Sequence, residues 1–244
     1  MKLPSLSVIV PAFNERAYLP APLQHLDAAA RRLDAVGDAD VEIVVVDNAS
    51  TDGTGDLARH AGARVIGEAE HNIARVRNAG AASTVHDVLV FVDADTLVPP
   101  ELLLAIGEAM SDLACAGGAV DTLYRPRRAV LRAYLSIWRA IGLVGGMAQG
   151  ACQFCRRSAF QALGGYDETQ YMGEDVDFHW RLKKLARRRG WRTCFIRGLQ
   201  VIPSTRRFDQ WPVWRTLVWT NPLLLVALRR RKATWAGWYT DAPR

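Results

Sequence analysis

The sequence predicts an α/β fold: a mostly parallel sheet with helices on both faces. Three observations lead there. Continuous apolar runs recur through the first half, and each suits a strand buried on both sides. Between them, apolar residues fall at the spacing of one helix face. Polar clusters of Asp, Asn and Glu then stand where the apolar runs stop. Strand–helix alternation of this kind implies a parallel sheet covered on both faces. With 244 residues, half of them hydrophobic and 23% charged, the chain can bury one large core.

The elements follow in order. "LSVIVPAF" reads as the first strand, and Leu19, Leu23, Leu26, Ala30 and Leu33 mark one face of the helix after it. "VEIVVVDNAS" is a second strand, followed by a helix over about Thr54–His60 and a short strand at Arg64–Ile66. Residues 73–85 are expected to be helical, and "DVLVFVDAD" is the next strand. Pro99 and Pro100 then open a helix running to about Asp112, since proline suits a first turn.

The second half is less regular. Residues 129–144 form an apolar stretch with arginines at 132 and 139. "ACQFCRRSAF" reads as a strand running into a turn. Residues three apart on a strand face opposite ways, so Cys152 and Cys155 should diverge as buried, reduced thiols and not form a metal site. "EDVDFHWRLKKLARRRG" is a helix, acidic at its start, basic at its end and stopped by Gly190. No internal repeat or low-complexity linker separates the parts. The expected organisation is one domain over 1–205, with halves at 1–122 and 123–205, and a basic, aromatic helical tail over 206–244.

The net charge of +6 hides an asymmetry. Residues 1–124 hold 8 basic and 18 acidic side chains, a balance of −10, while residues 125–244 hold 23 and 7, a balance of +16. All eight tryptophans (138, 180, 191, 211, 214, 219, 235 and 238) lie in that basic half. Arg with Trp suits an anionic surface such as a lipid headgroup layer; the alternative is a solvated basic face over core tryptophans. No apolar stretch reaches the roughly 18 to 20 residues of a spanning helix, and the first residues do not read as a signal peptide. The expected location is cytoplasmic, peripheral on the inner membrane face.

In an open parallel sheet, ligands bind beyond the carboxyl ends of the strands. Three strands deliver polar groups there: Pro11 to Glu15, Asp47 with Asn48, and Asp93 with Asp95. Any one set could be a helix cap or an Asx-turn, but three coincident edges ask for more. A dinucleotide site is excluded locally, because "PAFNE" stands where G-x-G-x-x-G would be needed. Carboxylates beside a phosphorylated ligand call for a bridging divalent cation, Mn²⁺ or Mg²⁺.

The ordered motifs "SVIVPAFNE", "VVVDNASTDGT", "RNAG", "FVDADT", "GGYDE" and "GED" resemble those of the family 2 glycosyltransferases over about residues 5 to 190. The resemblance implies a GT-A-like three-layer αβα sandwich with a mostly parallel central sheet and, here, a C-terminal helical elaboration. It implies a metal-assisted, inverting, non-processive transferase of the hexosyltransferase type. The donor would be a UDP- or GDP-linked sugar, the acceptor carbohydrate or lipid-linked, and nucleic acid no partner. Pro11, Phe13 and Glu15 would line the nucleoside pocket, Asp47 would meet the base and Arg77 would contact the nucleotide. Asp93 would lie near the ribose and beside the metal, Asp95 would be the principal metal ligand of the D-x-D pair, and Asp175 would be the catalytic base. Glu174, Arg206 and Arg207 are candidates for the diphosphate or acceptor.

Two departures from the family pattern matter. "QWPVW" carries Val213 where processive synthases have the arginine of Q-x-x-R-W, and no His follows His179 to serve as a late metal ligand. A sugar nucleotidyltransferase is the alternative enzyme, although "PAFNERAYL" lacks the glycine-rich basic loop expected of one. A non-enzymatic basic membrane-surface protein is the alternative outside catalysis, and the acidic strand edges argue against it.

Overall fold

A computed structural model describes residues 3–37, 39–145, 150–221, 224 and 227–235. In chain order its strands are β1 (Leu6–Ala12), β2 (Val41–Asp47), β3 (Arg64–Gly67), β4 (Val88–Val92), β5 (Thr96–Leu97), β6 (Cys115–Thr122), β7 (Cys152–Arg156) and β8 (Arg192–Pro203). The helices are α1 (Pro20–Asp34), α2 (Thr54–His60), α3 (Ile73–Ser83), α4 (Leu102–Ser111), α5 (Ala129–Gly145), α6 (Arg157–Leu163), α7 (Glu174–Arg188), α8 (Arg206–Gln210) and α9 (Val213–Trp219).

The strands form one sheet in the order β3-β2-β1-β4-β7-β6-β8-β5. Pairing is parallel from β3 through β4 and between β6 and β8, and antiparallel on both sides of β7 and between β8 and β5. The expected α/β architecture holds, with a mixed second half. Reversal of β7 has a consequence for the site. It makes the chain enter β7 at the carboxyl edge of β4, where the Asp93 amide donates to the Ala151 carbonyl at 3.2 Å.

Side-chain alternation along β1 builds two cores. Val8 and Val10 pack with Leu26 and Leu33 of α1 and Leu102 and Ile106 of α4. Ile9 faces the other way, with Phe91, Phe160 and Phe178 under α3, α6 and α7. The helix α3 lies so close to the sheet that a Cβ on Gly80 would sit 2.4 Å from Ile9 Cγ2. Cys152 belongs to the first core and Cys155 to the second, so the two free thiols diverge as expected. Burial pushes both above the ordinary thiol range.

Several boundaries differ from the sequence reading. The helix expected at the proline pair begins at Leu102, whose amide donates back to the Pro99 carbonyl at 3.0 Å, so the prolines form the turn before it. After β7 the chain enters α6 directly instead of a turn. The tail forms α8 and α9, while Trp238 and most of the apolar run at 222–226 lie outside the described residues. Among the described residues no helix is long and apolar enough to cross a membrane.

Candidate active site

The carboxyl ends of β1, β2 and β4 border a cavity of about 490 Å³, closed on its far side by the start of α7, the segment before α8 and one face of α5. Two loops give it a fixed floor. Asn14 after β1 (φ 51°) and Ala49 after β2 (φ 56°) both hold left-handed backbone, which costs a side-chain-bearing residue energy and persists only when neighbours enforce it. The enforcement is visible. The Asn14 amide donates to Ser50 Oγ at 2.9 Å, and the Thr51 amide donates to Asn14 Oδ1 at 2.7 Å.

Two arginine-centred clusters flank the mouth of β4. In the first, the buried Arg77 of α3 donates to Asp93 Oδ1 at 2.9 Å and to Glu174 Oε1 at 2.5 Å. Burial opposes its charge, but Asp93 and Glu174 hold the guanidinium protonated, above its ordinary value. In the second, the buried Arg206 grips both carboxylate oxygens of Glu15 and lies 3.4 Å from Asp95 Oδ2. Its guanidinium sits over the Tyr18 ring, 4.2 Å from the centroid. Burial pushes the Asp95 carboxyl up to about 7 despite Arg206, with Asp93 and Glu15 adding to the rise.

Asp175 lines the same cavity from the first turn of α7. Its Oδ1 accepts from the Val176 amide at 2.8 Å, and its main-chain carbonyl accepts from Gln153 Nε2 of β7 at 3.0 Å. A Cβ on Gly150 would lie 2.3 Å from Asp175 Oδ2, so the chain entering β7 can pass there only as glycine. Burial, with the neighbouring Glu174 charge, raises the Asp175 carboxyl above the usual carboxylate range. Its proton affinity is thereby suited to a proton acceptor near neutral pH.

Of the residues singled out in the sequence, Pro11, Phe13, Glu15, Arg77, Asp93, Asp95, Glu174, Asp175, Arg206 and Arg207 all border this one cavity. Asp47 does not. It accepts from the Ser50 amide at 3.0 Å, under α2, and its neighbour Asn48 faces the cavity instead. The Asn48 side chain donates to the Glu68 and Glu70 carbonyls and lies 3.3 Å from His71, whose ring contacts Phe13 at 4.4 Å between centroids. His179 is buried on α7, away from the cavity lining, and burial with Lys183 lowers its pKa to about 4. Tyr124, Trp138 and Trp180 also line the cavity; the two tryptophans stood out in the sequence only as part of the basic, aromatic half, and nothing in it pointed any of the three to this cavity.

The "RNAG" and "GGYDE" stretches clasp each other. Asn78 accepts from the Tyr166 amide at 2.9 Å and donates to its carbonyl at 3.0 Å. Gly165 (φ +73°) supplies both the left-handed backbone and the room, since a Cβ there would sit 2.6 Å from Asn78 Oδ1. Asn78→Ala should therefore cost about 2 kcal/mol, or roughly 4–8 °C of melting temperature in a chain of this size. Thermal unfolding of the purified variant checks this, and an unchanged midpoint would remove the clasp from the fold's supports.

Among the described residues, no group of three or more His, Cys, Asp or Glu is placed to hold a metal alone. Mg²⁺ and Mn²⁺ commonly need only one or two carboxylates when substrate phosphates and water complete the shell. Asp95, partly exposed at the cavity and only partly compensated by Arg206, with Asp93 two positions before it, fits that use and not an all-protein cage.

The family description "Glycosyl transferase family 2" matches residues 7–164. The chain is 37% identical over 103 residues to a 4,4'-diaponeurosporenoate glycosyltransferase of Staphylococcus haemolyticus, covering 37% of this chain and 24% of that protein. It is 33% identical over 112 residues to an undecaprenyl-phosphate 4-deoxy-4-formamido-L-arabinose transferase of Aeromonas hydrophila, covering 43% and 33%. These matches thus span a third or less of each relative's length. In structure it is similar to a mannosyltransferase from Pyrobaculum calidifontis in complex with GDP-Man and Mn²⁺, with a TM-score of 0.65 and 21% identity over 88% of this chain and 61% of that one.

Proposed function

We propose that this chain, which belongs to glycosyl transferase family 2, moves a hexose from a UDP- or GDP-linked donor to an acceptor hydroxyl in one inverting step. The observation that carries the reading is a meeting across 80 residues of sequence. Asp93 and Asp95, at the end of β4, and Asp175, at the start of α7, line one cavity. A cavity so lined can hold a diphosphate and a proton acceptor around one anomeric carbon. The nucleotide half (1–122) would supply Phe13, Asn48 and the β4 carboxylates. The acceptor-side half (123–205) would supply Asp175, Tyr124 and the aromatic wall.

The chemistry follows from those positions. The acceptor oxygen attacks the anomeric carbon as its proton passes to Asp175. The bond from that carbon to the donor phosphate breaks, and its electron pair leaves with the nucleoside diphosphate. One displacement inverts the anomeric centre. A divalent cation held by Asp95 and Asp93, when bound, stabilises negative charge on the leaving diphosphate. Arg77, paired with both Asp93 and Glu174, offsets part of their negative charge and so lessens their repulsion of that diphosphate. Arg206 does the same for Glu15 and in part for Asp95. We read transfer as non-processive, because Val213 opens α9 where polymerising synthases carry an arginine.

Turnover of a panel of UDP- and GDP-sugars, with and without Mn²⁺, tests the activity. Asp95→Ala should abolish transfer and erase any Mn²⁺ enhancement of nucleotide binding, because the carboxylate proposed as the principal ligand of the cation is gone. Calorimetric titration of UDP and GDP against both proteins measures it. A variant whose binding still rises with Mn²⁺ would place the cation elsewhere.

A further inference from the structure

Only part of α5 serves the cavity. Leu135, Trp138 and Gly142 line it, while Val130, Ile137 and Ile141 are exposed to solvent, Ile137 by 60%. At 3.6 residues per turn these two sets lie roughly 100° apart around the helix, so the exposed apolar strip adjoins the cavity wall. The residues flanking α9 are tied to α5 and to the residue before it. The Tyr134 and Thr220 hydroxyls are 2.7 Å apart, and Arg128 donates to the Trp211 carbonyl at 2.8 Å. This second helix also turns apolar residues outward: Trp214, 66% exposed, with Leu217 and Val218. Large side chains gathered in this way mark an interaction surface and not a scatter of single exposures.

Charge identifies the partner. No acidic residue occurs between Asp121 and Asp167, or between Asp209 and Asp241. Both helices and their flanks lie in those stretches, with the exposed Arg127, Arg128 and Arg132 at the start of α5. A second protein would need its own acidic rim. A bilayer containing anionic lipid supplies negative charge and an apolar layer together, which is the pairing that interfacial helices rich in Arg and Trp use.

We propose that α5 and α9 form a seat for an anionic lipid bilayer, holding the protein at the membrane surface without crossing it. The exposed strip of α5 enters the headgroup boundary, and the cavity wall made by the same helix is brought to the lipid–water interface. An acceptor carried on a lipid would then reach Asp175 without leaving the membrane.

Vesicle flotation tests this without donor or acceptor, so the outcome is separate from that of the transferase reading. The wild-type chain should float with phosphatidylglycerol-containing vesicles at low salt, and much less at high salt or with phosphatidylcholine alone. Ile137→Glu combined with Trp214→Glu should weaken binding by about tenfold or more, with melting temperature and monomer mass unchanged. Ile137→Ser with Trp214→Ser carries the same comparison if the charged pair disturbs folding. No flotation of the wild type at low salt would overturn the proposal. So would equal binding to neutral vesicles, or variants that float as well as the wild type. A wild-type dimer that both variants dissociate, with vesicle binding unaltered, would assign the surface to a second copy of the chain and also overturn it.

Discussion

Arg77→Met is expected to lower the melting temperature by about 10 °C, the largest stability effect of any single substitution in the site. Arg77 lies almost wholly inside the protein, bonded to Asp93 at 2.9 Å and Glu174 at 2.5 Å, and Glu174 is itself buried. Removing one partner of a buried ion pair leaves charge that neither water nor protein compensates, at a cost of about 3–5 kcal/mol. Each kcal/mol moves the midpoint of a chain this size by roughly 2–4 °C. Methionine fills similar space, so the deficit should come from charge more than from a void. Arg77→Lys, which keeps the charge but loses the two-pronged grip, should fall between. Calorimetric melting of all three proteins at neutral pH decides the matter. A methionine variant as stable as the wild type at neutral pH would show that the two carboxylates find other compensation.

That cluster also marks the boundary of what can be read from residue order. The strands β1, β2 and β4 were legible because a strand covered on both faces needs an unbroken apolar run, and "LSVIVPA", "VEIVVVD" and "VLVFV" are such runs. The strands β6 and β8 were not. "CAGGAVDT" holds few large apolar groups because its neighbours leave no room for them: a Cβ on Gly118 would meet the Cys194 carbonyl at 1.8 Å. Close backbone approach replaces side-chain burial there, and periodicity does not register it.

The site divides in the same way. Carboxylates at strand ends are a local pattern, so Asp93 and Asp95 could be found by inspection. Which charges neutralise them could not. Glu15 and Arg206 are 191 residues apart, and Arg77 and Glu174 are 97 apart. Arg206, read in sequence as a candidate for the diphosphate, lies against Glu15 and Asp95, so its fork already has anionic partners. At the end of β2, Asn48 lines the cavity while the Asp47 carboxylate accepts from the Ser50 amide, a one-position distinction that residue order alone does not make.

Asp175→Asn should leave the protein folded and the donor bound, yet reduce turnover by roughly 10²- to 10⁴-fold, the usual scale for losing a general base. The asparagine oxygen can still accept from the Val176 amide, and Gln153 bonds the main-chain carbonyl, which the change does not touch. Stability should in fact improve above neutral pH. The folded-state affinity of Asp175 for its proton is raised by burial and by Glu174. Wild type therefore loses stability as pH climbs from the unfolded carboxyl value, about 3.9, through the higher folded one, whereas the neutral amide escapes that loss. Activity should show the complementary dependence. In the wild type, kcat/KM should rise with pH along an acidic limb to which both Asp175 and Asp95 contribute, and in the variant the residual rate should lose the share that belongs to Asp175. The defect should fall on kcat with little change in donor Kd, since the role proposed for Asp175 is toward the acceptor and not the nucleotide. Melting temperature, donor Kd and the pH profile of turnover, measured on one preparation, separate the possibilities. Near-normal turnover with weakened donor binding would move Asp175 out of the base role and into the nucleotide pocket.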